Sequence, residues 1–336
     1  MAALGSTFAL ACAAMLVVGA RMAGAQVPQD AGPGAVVGMT LIDQVSSTDR
    51  AGRIVTDASL NGGEPLRFIL DTGANRSAIS VSVARALNVG TTGTEYINVH
   101  GVTGPARVPV ARIDRMQVGA LALADLRLPV LQDTVFAGAD GILGIDNLQH
   151  ARVEIDFTEG RVVVHESTGR RARRGYLLVP ARLHEGGLLL VHGKVGRLPV
   201  KVILDTGAER SMGNLSLLEA LQAGGILAQR TKEATVTGAT PGDVAGTAMR
   251  TPLISIGEAT LKDIIVTFGD LHVFQVWGLG DEPALVVGMD LLGTLDGFVI
   301  DYPRREFLLR PQADPRDRTR RRGCGDGCNS VMHSRT

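Results

Sequence analysis

Apolar positions along the chain gather in short runs separated by glycine-rich turns, and the runs occur twice in the same order. "LNGGEPLRFIL" (Leu60–Leu70) and "KVGRLPVKVIL" (Lys194–Leu204) each predict a turn followed by a strand. Each strand runs into Asp-Thr-Gly-Ala, at Asp71–Ala74 and again 134 positions later at Asp205–Ala208. Apolar residues three and four apart then predict short helices over Ser80–Leu87 and Asn214–Leu221. Gly-containing turns flanked by alternating residues, Asn98–Arg107 and Thr235–Val244, predict hairpins. "GILGIDNL" (Gly141–Leu148) and "LVVGMDLL" (Leu285–Leu292) share two apolar residues, a Gly, and an Asp two positions on. Val153–Val164 and Phe298–Leu309 alternate into a turn and continue apolar, as hairpins do.

Ordered agreement at every landmark makes the chain an internal duplication. Asp71 and Gly144 are 73 residues apart and Asp205 and Gly288 are 83 apart, so the second copy carries a modest insertion. The first unit is expected over 36–167 and the second over 176–311, joined by a basic linker at 168–175. The 336 residues suffice for two cores of this size.

Composition supports β structure: 42 glycines, 45% hydrophobic residues and many Val, Leu and Ile, with 20% charged. Thirty-four basic residues balance thirty-four acidic ones, so no overall charge points to nucleic acid or a membrane surface. The basic runs Arg170–Arg174 and Arg318–Arg322 read as solvated linker and tail. At the N-terminus, the apolar run Phe8–Ala20 and the small residues Ala23–Ala25 predict a secretory signal at 1–25, cleaved after Ala25. A linker follows at 26–35, and Arg21 stops the run short of a bilayer span, so no stable membrane insertion is expected. The expected location is periplasmic or secreted. Residues 312–336 read as a disordered tail in which Cys324 and Cys328 could close a small disulfide loop. No His-x-x-x-His pair or Gly-x-Ser-x-Gly elbow occurs, which leaves little support for metallo- or serine-hydrolase chemistry.

A carboxylate closing an apolar strand is costly unless something compensates. Two of them in equivalent settings suggest a pair built to meet. Carboxyls within hydrogen-bond distance cannot both ionise cheaply, so one keeps a proton. The ionised member can then take a proton from water while the other donates toward a developing oxyanion. Gly73 and Gly207 would permit the tight turn and the close approach of the other unit.

These residues resemble the retropepsin-like aspartic peptidases, in which Asp-Thr-Gly-Ala is followed by an apolar-apolar-Gly motif. Two copies in one chain look like the two-lobed pepsin arrangement. The resemblance implies a mainly β fold of two homologous acid-protease-type barrel lobes. Each lobe would carry one short helix after the Asp loop and one near the apolar-Gly motif. It implies Asp71 and Asp205 as the catalytic pair, acting on a peptide or protein substrate in a monomer without metal or cofactor. Thr72 and Thr206 would hydrogen-bond across the lobes, and Ser77 and Ser211 would brace the loops. Ala74 and Ala208 stand where pepsin-like enzymes commonly have Ser, which predicts a pH optimum above the gastric range. Asn75 and Glu209 occupy a substrate-backbone position that is usually acidic, so the lobes differ there. Arg76 and Arg210 are either solvent-facing, paired with structural carboxylates, or selective for acidic side chains. The hairpins would be flaps, with His100, Gly101, Val102, Thr237, Gly238 and Ala239 facing substrate. Asp146 and Asp290 would support the base of each lobe. A non-catalytic peptide-binding module that keeps the fold is the alternative reading.

Overall fold

The computed structural model describes residues 47–49, 52–89, 95–119, 121–148, 150–167, 175–225, 231–262 and 264–312, with the backbone of 9–11, 17–18 and 42–45. The linkers at 26–35 and 168–174 and the tail from 313, with both of its cysteines, lie outside the described residues. So does most of the expected signal.

The first lobe opens with the hairpin of β1 (Ile54–Leu60) and β2 (Leu66–Leu70), in which Val55 faces Ile69 and Ala58 faces Leu66. Its five-residue connection over 61–65 opens with a tight turn in which Gly63 N donates to Leu60 O, and Asn61 and Gly62 take φ of 51° and 75°. After the Asp71 loop come β3 (Ala78–Ser80) and α1 (Val81–Ala86). The Ser80 hydroxyl accepts from Val83 N and so caps the helix. β4 (Tyr96–Gly101) and β5 (Gly104–Val118) form a flap-like hairpin whose turn is only Val102 and Thr103. β6 (Leu121–Leu131) returns along β5, and β7 (Gly141–Leu143) then enters between β2 and β3. β8 (Ala151–Asp156) and β9 (Arg161–Glu166) close the lobe as the expected hairpin.

The second lobe repeats this order. β10 (Leu177–Leu183) leads into the hairpin of β11 (Leu189–Val195) and β12 (Leu198–Leu204), which turns at Gly196 with φ 61°. β13 (Met212–Gly213) precedes α2 (Leu215–Ala223), whose cap is the Asn214 side chain accepting from Leu217 N. β14 (Thr231–Thr237) and β15 (Asp243–Arg250) form the second flap-like hairpin, with a longer turn over 238–242. A small hairpin over 254–261 precedes β16 (Ile265–Gly269) and α3 (His272–Val276). β17 (Ala284–Val287), α4 (Met289–Leu292) and the hairpin of β18 (Gly297–Asp301) with β19 (Glu306–Arg310) complete it. The helix expected near each apolar-Gly motif is α4 here but a single 3-10 turn, Ile145–Asn147, in the first lobe. α3 has a 3-10 counterpart at Asp133–Phe136, and neither announced itself as an apolar period.

One antiparallel sheet joins the lobes, in the order β10-β19-β18-β8-β9 and then 42–45. Its central rung set runs from Arg152 opposite Asp301 to Asp156 opposite Gly297. Val153, Ile155, Phe298 and Ile300 send buried side chains into a core shared by both lobes. Residues 9–11 lie parallel to β14 and residues 17–18 antiparallel to β4.

Candidate active site

Each Asp loop is seated by a parallel strand pairing. β7 runs beside β2 with Ile142 opposite Ile69, and β17 runs beside β12 with Val286 opposite Ile203. Asp71 N donates to Leu143 O and Asp205 N to Val287 O, both at 3.0 Å. Gly144 and Gly288, which end those strands, press against the backbone of the loops at Arg76 and at Ala208 and Arg210. A side chain at either glycine would push its loop away, which is the physical content of the apolar-apolar-Gly motif.

Ser77 and Ser211 tie the same corner together. The Ser77 hydroxyl donates to Asp146 Oδ1 at 2.9 Å and accepts from Gly144 N. The Ser211 hydroxyl donates to Asp290 Oδ1 at 2.7 Å and accepts from Gly288 N. Burial raises the affinity of Asp146 and Asp290 for a proton, against the pull of these serines.

The two loops meet face to face through their threonines. Thr72 Oγ1 donates to Leu204 O at 2.8 Å and accepts from Thr206 N at 3.0 Å. Reciprocally, Thr206 Oγ1 donates to Leu70 O at 2.6 Å and accepts from Thr72 N at 3.1 Å. Both threonines are fully buried, so this four-bond lattice stands in a low-dielectric setting where an unmade bond is expensive.

That lattice brings the carboxyl groups together. The Cα of Gly73 lies against the Asp205 carboxylate and the Cα of Gly207 against that of Asp71, leaving no room for a Cβ at either glycine. Asp71 Oδ1 accepts from Gly73 N and Ala74 N, each at 2.9 Å. Asp205 Oδ1 accepts from Gly207 N at 2.7 Å and Ala208 N at 3.1 Å. Both Oδ2 atoms are buried without a donor, and the two carboxyls are within hydrogen-bonding reach of each other. Facing acceptors of this kind are satisfied by one shared proton. Burial drives Asp71 well above the ordinary carboxylate range, with the Asp205 charge adding to the shift. Burial also raises Asp205, to about 6, against the loop amides and its bond to Asp71.

The sequence profile of the aspartyl protease family matches residues 56–147 and again 191–291, together more than half of the chain. The chain belongs to that family. No curated protein matches it significantly. The two matched segments each span one Asp loop, one flap-like hairpin and one apolar-Gly motif, so the aspartyl protease is a duplicated, two-lobed one.

Other residues of this aspartyl protease take places that the sequence did not disclose. Arg53, fully buried just before β1, is paired through Nε with Asp49 at 2.6 Å. Its Nη1 and Nη2 are buried without a partner, and its charge favours ionisation of Asp71, Asp205 and Glu209 alike. Tyr302, directly after β18, buries its hydroxyl close enough to both aspartates that their charges help to keep it protonated. A charged residue opening an apolar run and a Tyr closing one were the available signals.

The lobes differ where Asn75 and Glu209 were expected to differ. Asn75 is half-buried against Gly186, whereas Glu209 lies 3.5 Å from Arg210 Nε and within the field of Arg53. Burial raises the proton affinity of Glu209, and the Arg210 and Arg53 charges oppose it.

The flap residues interlock with one another. Val102 is buried against Gly238, and Gly101 packs on the Thr240 hydroxyl. Thr103 Oγ1 donates to Thr240 O at 2.8 Å. Ala239 joins an apolar cluster with Ala74, Val99, Leu131 and Phe136 of the first lobe. Thr237 ends β14 at that tip. His100 does not project freely; its Nδ1 lies 2.9 Å from His272 Nε2 on α3. Among the described residues no group of three or more His, Cys, Asp or Glu could hold a metal ion.

Proposed function

We propose that this aspartyl protease is an endopeptidase whose single catalytic dyad is Asp71 and Asp205, one from each lobe. The observation carrying the reading is the pair of buried carboxyls, each held through Oδ1 by two loop amides and each with an Oδ2 lacking a donor. In the form that holds one proton, the ionised carboxylate removes a proton from water as the oxygen attacks the peptide carbonyl carbon. The protonated partner donates to the carbonyl oxygen, giving a neutral tetrahedral diol. The carboxyl now protonated then gives its proton to the amide nitrogen while the other takes a proton from a diol hydroxyl, so the C–N bond breaks, a carboxylic acid and an amine leave, and the singly protonated pair is regenerated.

The absence of a hydroxyl at Ala74 and Ala208 removes two groups that would have stabilised the ionised form. Together with burial, this supports an active range in weak acid, with the rate falling as pH rises through the pair's upper ionisation. A complete site within one chain is consistent with a monomer. The test is cleavage of a peptide library by the protein, Asp71→Asn and Asp205→Asn, with and without pepstatin. Loss in both variants supports one shared dyad, and activity surviving either substitution overturns it. A folded wild type inert from pH 3 to 8 would shift the reading to the peptide-binding alternative instead.

A further inference from the structure

Resting on the reading of the two hairpins as flaps of that site, we propose that His100 and His272 are positioning residues. They form a catch that holds the first flap against the second lobe and releases when both rings are protonated. Ring centroids 5.2 Å apart, planes 22° apart and an N···N distance of 2.9 Å together describe an in-plane N–H···N bond, one ring donating and the other accepting. The contact spans 172 positions and joins β4 to α3 of the opposite lobe. One turn residue beyond it, His272 N donates to Val102 O at 3.0 Å, so the same α3 terminus grips the flap backbone. The tip is further held by Thr103 on Thr240 and by Val102 on Gly238.

The bond survives with no proton or one proton added, because one ring nitrogen still accepts. With two added protons both facing nitrogens are donors, and two cations stand at hydrogen-bond distance. Among the described residues, no carboxylate pairs with either ring. On β5 the residue opposite His100 is Pro105, and the charged residues of that strand are Arg107, stacked over Tyr96, and, farther along, Arg112, Asp114 and Arg115. α3 has no ionisable residue besides His272, and the exposed Asp270 precedes it. The strand over 17–18, alongside β4, consists of two valines. Burial and the His272 charge lower the proton affinity of His100 in the closed flap. Closure therefore expels a proton. It is favoured fully above the ordinary histidine range and weakens as pH falls from that range toward the lowered value of the closed state.

The experiment is hydrogen exchange of the full chain, followed on peptides covering 96–108 and expressed as protection relative to the unstructured sequence at each pH. Wild-type protection should fall by about tenfold between pH 7.5 and 5, a release of the kind expected for a local opening. In His272→Gln, which keeps a hydrogen-bonding side chain without a second cation, it should change by less than about twofold. Peptides over 298–309, in the sheet between the lobes, should stay protected in both. A flat wild-type profile, or an identical fall in wild type and His272→Gln, overturns the catch. The readout needs no catalysis, so an inert protein with a pH-released flap would sink the endopeptidase reading alone.

Discussion

Replacing Asp205 by Asn should abolish cleavage and yet stabilise the protein at neutral pH. Moving a buried carboxyl from its ordinary value of 3.8 to about 6 means that the folded state keeps a proton the unfolded chain releases. Stability therefore falls as pH rises across that interval, by about 3 kcal/mol at ~1.4 kcal/mol per pH unit. Asn at 205 mimics the protonated member of the pair and removes the like charge from Asp71, so this loss is largely avoided. Near pH 4.5, where the wild-type pair holds its proton, the two proteins should melt within about 1 °C of each other. About 2 of those 3 kcal/mol are lost above pH 4.5, so by pH 8 the variant should melt higher by roughly 4 °C, taking about 2 °C per kcal/mol for a chain of this size. Differential scanning calorimetry at half-unit pH steps gives the measurement. A difference in melting temperature that stays constant from pH 4.5 to 8, or that favours the wild type at pH 8, would show that the carboxyls do not share a proton.

Gly73→Ala or Gly207→Ala sets a methyl into the opposing carboxylate. Each should lower kcat/KM by at least about 100-fold and the stability by roughly 1–3 kcal/mol, read from rates and urea melts. Thr72→Val strips a donor from Leu204 O and an acceptor from Thr206 N; it should cost about 2–4 kcal/mol in urea unfolding, while Thr72→Ser restores most of it. Arg53→Met removes a cation that favours ionisation of both aspartates, so the alkaline limb of the pH–rate profile should move to higher pH; an unmoved limb would detach Arg53 from the dyad. Ser211→Ala should leave the half-buried Asp290 short of a donor and lower stability by about 1–2 kcal/mol, again by urea melt.

Much of the architecture was legible because it is written in local, repeated features. Strand runs ending in Asp-Thr-Gly-Ala, a Gly after two apolar residues and the closing hairpins each depend on neighbours a few positions away. Their recurrence pairs them without knowledge of the fold. Residues whose setting is made by distant contacts were harder. Arg53 looks like any basic residue ahead of a strand until the fold buries it within the field of both aspartates, and nothing near Tyr302 announces those aspartates. His100 sits in the expected flap, but its partner lies in a helix of only five residues in the other lobe, too short to leave a period. The 3-10 turn at Ile145–Asn147 escaped for a similar reason: three residues cannot distinguish one helical pitch from another.

The sheet that joins the lobes carries one more implication. β8 and β18 share five rungs, and severing the chain in the segment between β9 and β10 would cut none of them. Either half made alone, however, would present a bare strand of unpaired amides and carbonyls along an apolar face, a template for indiscriminate aggregation. Its own complement is the partner that caps this strand in the native pairing. Two co-expressed fragments divided at that point should thus find each other and rebuild the interface without a covalent link. The duplicated protein would then behave as a heterodimer whose recognition code is a β-sheet.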